Sequence, residues 1–478
     1  EKKFNEYLEK NENEKQCNSI IYDRDNTIDG FYASYTKNNI VNTLSIEDMY
    51  IDTKYFTEEF TNKLLEAISK NNNIEECIDG TLIKSDNFQA LNTILPKYKE
   101  QIDLIYIDPP FNTGSDFAYK DRFQDSTWLS LMENRLEVAS EFLSDNGVIY
   151  INLDDNESHY CKVICDEIFN RKNFVANIIW QKKYSPSNDS KWFSDNHDHI
   201  LVFAKNKLSF KPNLLPRTEE MNKRYTNPDN DLRGDWKPGG FSVKTYSKDY
   251  DYPITTPSGK VVYPPKGSCW QTSEENYFKK LDDNRIYFGK NGDSKPQIKQ
   301  FLSEVQQGIV AKTIWLHDEV GHNQVSRSEI VKLFGDFSFS TPKPEALLKR
   351  IIELSTNEND LIMDFHLGSA TTCAVAHKMN RRYIGIEQMD YIEDVAVERL
   401  KKVIDGEQGG ISKAVNWQNG GSFVYAELKQ IDDFRDCEIG ALNRNMQYLP
   451  ISEIEDESYK ISKEEIAINK AFYGIENE

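Results

Sequence analysis

The sequence predicts an α/β protein, a mostly parallel sheet covered by helices and interrupted by a turn-rich insert. Three observations point there. Strand-like apolar runs alternate with helical patterns from Thr81 to Asp155, the arrangement that builds parallel sheets. The alternation fades at about 208 and resumes at Thr341. The chain is also long and apolar enough for a sizeable core, with 478 residues, 38% hydrophobic and 12% aromatic, which argues for roughly two to four units.

Residues 1–80 read as mostly helical, most clearly Thr57–Lys70. QIDLIYID is a β-branched apolar run of the kind buried on both faces of a parallel sheet. In STWLSLMENRLEVASEFL, residues Leu129, Met132, Leu136, Ala139 and Leu143 are spaced for one helical face. The following Asp-Asn-Gly places Gly147 as a helix stop at C′, and VIYINLD is the next buried strand. Between about 208 and 336, strand-like fragments are broken by PSG, PPKG, KNGD and KP. Beyond it, Pro344 suits the first turn of a helix with Leu347, Leu348, Ile351 and Ile352 as its buried stripe. LIMDF is a strand, GSATTCAVAHKMN a loop running into a helix, RRYIGIE a strand and YIEDVAVERLKKVID a helix, before a polar, acidic tail.

No apolar run nears the roughly 18 residues of a membrane span, and the N-terminal EKKFNEYLEKNENEK lacks the apolar centre of a signal peptide. The seven cysteines contain no CxxC pair, and His197 and His199 show no metal-ligand spacing with them, so reduced thiols and no metal are expected. The net charge of −20 is uneven. Residues 1–80 carry 9 Lys/Arg against 17 Asp/Glu, residues 391–478 carry 10 against 18, and residues 180–300 carry 21 against 15. The basic middle is also rich in Tyr, Trp, Pro and Gly, as in a protein that holds a polyanion in one place and repels it elsewhere.

Asp108-Pro109-Pro110-Phe111 leaves the carboxyl end of a buried strand, where open α/β sheets place ligands. Its chemistry suits methyl transfer to an exocyclic amine, whose lone pair is delocalised into an aromatic ring. Acceptors for both N–H groups orient that lone pair and favour charge developing on nitrogen. Asp108 offers a carboxylate oxygen, Pro109 a carbonyl in a rigid turn without a competing N–H, and Phe111 a flat face for a base swung out of a duplex. In-line displacement at a sulfonium methyl relies on alignment and electrostatics and requires no metal. A second string, Asp364-Phe365-His366-Leu367-Gly368-Ser369-Ala370-Thr371-Thr372, is a small-residue loop opening a helix, and Glu387 ends the next strand at the spacing of an acid that grips ribose hydroxyls. A third, Thr341-Pro342-Lys343-Pro344-Glu345, starts a helix with a lysine beside it. The fourth, Ser85-Asp86-Asn87-Phe88, sits where Asx residues form turns or N-caps. No P-loop string is present.

In this order the strings resemble the amino-methyltransferases that modify DNA bases, and more closely the β-class adenine-N6 enzymes, including the modification (Mod) subunits of type III restriction–modification systems. The phrases DPPFNTGSDFAYKDRF, GVIYINLDDNE, DNHDHILVFAK, LSEVQQGIVAKTIW and GGSFVYAE extend the similarity over most of residues 81–430. The resemblance implies a Rossmann-like S-adenosyl-L-methionine-dependent sheet in permuted order. It implies a catalytic half at 81–207, a target-recognition domain at 208–336, a cofactor-binding half at 337–405 and an acidic C-terminal region at 406–478. Asp108, Pro109, Pro110 and Phe111 become the catalytic pocket. Asp364, Phe365, Gly368, Ser369 and Thr371 become the cofactor loop, with Glu387 on the ribose, Thr341, Lys343 and Pro344 near the methionine moiety, and Asp86 near the adenine.

The implied function is site-specific methylation of adenine N6 in double-stranded DNA by base flipping, in the bacterial cytoplasm. A homodimer and a possible restriction subunit are the implied partners. Cytosine-N4 methylation and a catalytically weakened DNA-binding specificity subunit are the alternatives. Two departures stand out. Phe111 replaces the commoner Tyr, which preserves stacking, and Ala370 replaces a glycine, which weakens cofactor binding if that position needs φ > 0 or close ligand contact. His366 reads as packing or a supporting hydrogen bond.

Overall fold

The computed structural model describes residues 56–70, 77–114, 121–335 and 341–428, and they divide into two compact units, 213–311 and the remainder. The expected N-terminal helix appears as α1 (Glu58–Ser69), while residues 1–55 and the tail beyond 428 lie outside the described residues.

In the larger unit, β1 (Gly80–Lys84), β2 (Ile102–Ile107), β3 (Leu143–Leu153), β4 (Phe174–Gln181), β5 (His197–Ala204), β6 (Ile314–Trp315), β7 (Leu361–Asp364), β8 (Arg382–Glu387) and β9 (Phe423–Glu427) form one sheet. Its order is β6-β4-β5-β3-β2-β7-β8-β1-β9. Every pairing is parallel except those of β5, which runs antiparallel to both β3 and β4. The central strands are buried on both faces, with Leu104, Ile105, Ile107, Ile149, Ile151, Ile362 and Met363 fully inaccessible. Full burial of such side chains stabilises the fold by about 1.5–3 kcal/mol each. Helices α2 (Asn87–Tyr98), α3 (Asp125–Phe142), α4 (Ser158–Ile168), α5 (Asn323–Phe334), α6 (Glu345–Ser355), α7 (Thr371–Lys378) and α8 (Glu398–Ile404) belong to this unit. Helix α3 buries Trp128, Met132, Leu136 and Ala139, and α6 buries its expected stripe.

The site is positioned by one topological fact. Strands β2 and β7 are neighbours, with Leu104 opposite Ile362 and Ile105 opposite Met363. From β2 the chain passes through α3 to β3 on one side, and from β7 through α7 to β8 on the other. A crevice therefore opens outside their carboxyl ends, where ligands bind in open α/β sheets.

The smaller unit is built from a three-stranded antiparallel sheet (Trp236–Gly240, Gln297–Phe301 and Ile286–Tyr287), two further two-stranded antiparallel pairs and the helix Glu274–Asp282. Its core holds Phe241, Tyr252, Ile254, Val262, Trp270, Tyr277, Ile286 and Phe288.

Four sequence expectations need correction. Gly147 is not a left-handed helix stop, since α3 ends at Leu143 in extended backbone that runs straight into β3. A Cβ at Gly147 would instead lie 2.7 Å from the Ile102 carbonyl, so the glycine permits close approach of two strands. The insert is shorter than 208–336, because 312–335 carries β6, which pairs with β4, and α5. Pro344 is the N-cap of α6 and not its first residue. The region after 405 is not only a polar tail, since Phe423–Glu427 adds an edge strand beside β1.

Candidate active site

Asp108 and Gly368, 260 positions apart in the sequence, line the same cleft at the β2/β7 crevice. Of the expected site residues, Asp86, Asp108, Pro110, Thr341, Lys343, Asp364, Phe365, Gly368, Ser369, Thr371 and Glu387 line it. Pro109, Phe111 and Pro344 do not. Pro109 and Pro344 are buried beneath the loops, and Phe111 packs half-buried against the main core.

The loop after β2 is fixed by side chains. The Trp128 indole of α3 donates to the Pro110 carbonyl at 2.8 Å. Asn112 takes a left-handed backbone (φ 60°) and its amide, like that of Thr113, donates to the buried Asp121 carboxylate at 3.0 Å. Lys343 pairs with Asp108 Oδ2, and its ammonium also lies 5.1 Å over the Phe111 ring. Asn152 Nδ2 donates to Asp108 Oδ1 at 3.1 Å and to Asp198 Oδ2 at 3.3 Å. Lys182 donates to Asp198 Oδ1 at 2.7 Å. Burial pushes the Asp108 carboxyl up, and the Lys343 charge pulls it back towards ionisation.

The loop after β7 is fixed mainly by backbone. Gly368 adopts φ 54°, and Glu387 accepts from the amides of Gly368, Gln388 and Met389 at 2.9–3.1 Å. The Thr372 hydroxyl donates to Asp364 Oδ2 at 2.6 Å and the His366 amide to Oδ1 at 3.0 Å. Burial nonetheless pushes the Asp364 carboxyl up to about 7. Burial, with the Arg135 charge, lowers His366 to about 3, so this imidazole is neutral, and it meets Asn87 Nδ2 at 3.3 Å. Beneath the loop, buried Arg399 donates to the Ser369 carbonyl at 3.0 Å, to the Thr371 hydroxyl at 2.9 Å and to Glu345 at 2.9 Å. Gly385 supports the same loop by closeness, since a Cβ there would meet Cys373, Leu367 and Leu82 at 2.8–2.9 Å.

Ala370 occupies a left-handed backbone (φ 57°, ψ 31°), as the replaced glycine would, but it is fully buried and is not among the residues lining the cleft. Its methyl strains the loop without touching the ligand space. At the far end, Asp86 caps α2 through Gln89 N at 2.9 Å and pairs with Arg135 at 3.1 Å.

Sequence reasoning missed Tyr106, Asn152, Asp198, Arg135 and Arg399. All but Tyr106 leave a trace, each being a polar or charged residue inside an otherwise apolar strand or helix face (VIYINLD, HDHILVFA, LMENRLEVA, VAVERL). Such residues are buried only when paired. The aromatic signal of the insert was partly misread, because Trp236, Phe241 and Trp270 are core and not surface. Much of its basic charge is also neutralised internally: Lys299 is buried against Asp229 and Asp231, Arg233 pairs with Asp231, and Arg285 with Glu304.

An open sheet with an acid-rimmed cleft at its switch point defines a doubly wound α/β protein. The sequence matches the family model described as DNA methylase over residues 102–398, so the chain belongs to the DNA methylase family. It is 36% identical over 459 residues to the probable type III restriction-modification enzyme HindVI Mod subunit of Haemophilus influenzae, covering 81% of this chain and 59% of that one. It is 35% identical over 331 residues to the StyLTI Mod subunit of Salmonella typhimurium, covering 62% of this chain and 50% of that one. Type II methyltransferase M.EcaI of Enterobacter cloacae is 30% identical over 337 residues, covering 68% of this chain and 70% of that one. The chain thus spans about half to three-fifths of the length of the two Mod subunits. Among the described residues, no helix is long and apolar enough to cross a membrane.

Proposed function

We propose that this chain is a site-specific DNA methyltransferase that moves a methyl group from S-adenosyl-L-methionine to adenine N6 in double-stranded DNA, as a modification subunit. The observation that carries the reading is the shared cleft, with Asp108 and Pro110 from one loop facing Gly368, Ser369 and Glu387 from the other.

The cleft fits the cofactor. Its lining holds four carboxyl groups (Asp86, Asp108, Asp364, Glu387) against two cations, Lys343 and Arg135, an excess that suits a sulfonium ligand. Tyr106 presents a buried hydroxyl without a hydrogen-bond partner among the described residues, at the cleft wall. When bound, the cofactor supplies an electrophilic methyl group on positively charged sulfur. Glu387 accepts from three amides and from the Tyr391 hydroxyl, and that hydroxyl is the contact a ribose hydroxyl would replace. Gly368, without a side chain, lets the ligand approach the loop backbone.

Lys343 marks the place of the target amine. Its ammonium touches the Asp108 carboxylate and covers the face of Phe111, the two features the reading assigns to an extruded base. An incoming adenine replaces one cation–π contact and one charged donor with a stacked ring and an amine N–H. Asp108 accepts that N–H and stabilises the charge that develops on nitrogen. Asn152 keeps the other Asp108 oxygen in place.

The unit 213–311 reads the target sequence in this proposal, through exposed groups such as Tyr246, Tyr263, Lys244 and Lys266, which position on phosphates and reach base edges. Exposed Trp192 and Phe193, beside Lys191, add a stacking surface on the catalytic unit. A restriction partner belongs to the same proposal, supported by relatives named as subunits of restriction-modification enzymes, and a homodimer is carried over from the resemblance alone.

The test is label transfer from S-adenosyl-L-methionine to methyl-free genomic DNA. Transfer is expected, with Asp108→Ala reducing it by at least about 10²–10³-fold, as for loss of a group that stabilises transition-state charge. Absence of transfer overturns the reading. Nucleoside analysis showing N4-methylcytosine moves the target from adenine to cytosine. Exchanging 213–311 for a relative's segment should change the modified sequence, and unchanged specificity removes that unit from recognition.

A further inference from the structure

We propose that Asp155, His197 and His199 form a binding site for a borderline divalent metal ion of the zinc class, with His159 beside it. Alternation along β5 separates this cluster from the methyl-transfer machinery. Asp198 turns to Asn152 and the Asp108 network, so His197 and His199 share the opposite face. None of the four residues lines the cleft.

One ligand atom from each of Asp155, His197 and His199 lies within 4.8 Å of the others. His199 Nε2 is 2.9 Å and His197 Nε2 3.9 Å from Asp155 Oδ1. In a tetrahedral sphere with bonds of about 2.0–2.2 Å, donors sit roughly 3.3 Å apart, so closure takes a shift on the order of 1 Å. The side chains that must move can move, Asp155 being 62% and His197 37% exposed, while His199 is held at 10%. His159 of α4 packs edge-on against His199 with ring centroids 5.6 Å apart, which leaves the fourth position to it or to water.

One feature distinguishes this from a chance surface group. His199 Nδ1 lies 3.3 Å from Asn177 Oδ1, so the tautomer that frees Nε2 for a metal can donate its Nδ1–H there, the kind of outer contact that orients a metal-ligating imidazole. Two imidazoles and a carboxylate, without thiolates, suit zinc-class ions better than copper(I) or calcium. The ion would clip the end of β3 to β5, the two strands that bring Asn152 and Asp198 to Asp108. In sequence only His-x-His is visible, and the carboxylate arrives from the end of a neighbouring strand.

Co²⁺ alone, titrated into the full chain after chelator treatment, tests this. The expected result is one saturable equivalent with visible ligand-field bands. His197→Ala and Asp155→Ala should each weaken it by about 100-fold or more, and Asn177→Ala by roughly 10-fold. Cys161→Ser/Cys165→Ser, which removes the buried thiol pair, should leave it unchanged. Zn²⁺ should raise the melting temperature of the parent chain and not of His197→Ala, whose metal-free circular dichroism should match the parent. No saturable uptake, uptake that survives both His197→Ala and Asp155→Ala, or loss in the cysteine variant overturns the proposal. A lone His–Asp ion pair predicts the first of these outcomes.

Discussion

The two loops that face each other across the cleft are held in opposite ways. The loop after β2 depends on a relay of charged and polar side chains, Lys343 to Asp108 to Asn152 to Asp198 to Lys182, reaching across three strands. The loop after β7 depends on backbone: amides onto Glu387, a carbonyl onto Arg399, a left-handed glycine at 368, and a glycine at 385 where a Cβ would collide. A wired loop adjusts when a charge arrives, as a flipped base demands. A backbone cradle is rigid, as a cofactor that must present one methyl group demands. The contrast predicts that damage beneath the cradle appears as lost stability, and damage to the relay as lost turnover.

The largest effect should come from Arg399, whose guanidinium is buried under the cradle against Glu345. Burial opposes ionisation of Glu345, but Arg399 and Lys378 outweigh it and hold the carboxyl below its ordinary range. Arg399→Met leaves that carboxylate with the Lys378 charge and the Ile411 amide and frees the Ser369 carbonyl. Breaking a buried pair costs about 3–5 kcal/mol, and Lys378 places this case at the lower end. Urea unfolding measures it. A loss under about 1 kcal/mol would mean that the cradle does not rest on this pair.

Asp364 makes the cradle pH-dependent. Its folded carboxyl, pushed up to about 7 by burial, titrates well above the unfolded group. The native state therefore keeps a proton that the unfolded chain loses near pH 4. Its contribution to stability is fully present below that pH, is lost as the pH rises to about 7, and is level beyond. At about 1.4 kcal/mol per unit the loss reaches up to about 4 kcal/mol, and Asp364→Asn should flatten the slope. In the proposed reading, a sulfonium ligand favours the carboxylate. Affinity for S-adenosyl-L-methionine should then rise through pH 7 more steeply than that for the uncharged thioether product. Calorimetry showing parallel profiles would remove Asp364 from the sulfonium's surroundings.

The relay tests the other half. Asp198→Asn keeps the shape but leaves Lys182 with Asp195 alone and slackens Asn152. Turnover should fall about 10- to 100-fold through misplacement of Asp108, with cofactor affinity unchanged. Unchanged turnover would mean that Lys343 alone positions Asp108.

The contrast also explains what the sequence revealed. Backbone cradles need small residues at fixed spacing, so Gly368, Ser369, Thr371 and Glu387 are legible as a string. The loop Asp108–Phe111 is legible because Pro-Pro leaves a strand. The relay is not, because Asn152, Asp198 and Lys182 come from three strands whose antiparallel order no local pattern encodes. Pro109 reads as a cleft wall but is buried, and Phe111 packs one side on the core while Lys343 covers its ring, since a string gives residue types and not the direction each side chain faces. The insert misled for a related reason. Trp270 and Phe241 look alike whether they stack on a base or fill a core, and only the fold separates the two.

The smallest effect should be at Ala370, where a sequence departure looked most damaging. Its left-handed backbone costs an alanine about 1–2 kcal/mol relative to a right-handed one. Ala370→Gly relieves that strain, but glycine's extra freedom in the unfolded chain offsets about 0.4–1 kcal/mol and the buried methyl is lost as well. Stability should therefore change by less than about 1 kcal/mol. Cofactor affinity should change by less than roughly threefold, because the methyl lies outside the cleft lining. A tenfold gain in affinity would mean that the loop moves when ligand binds and brings residue 370 against it. Rigidity would then belong to the bound cradle alone, and the difference between the two loops would be one of ligand state.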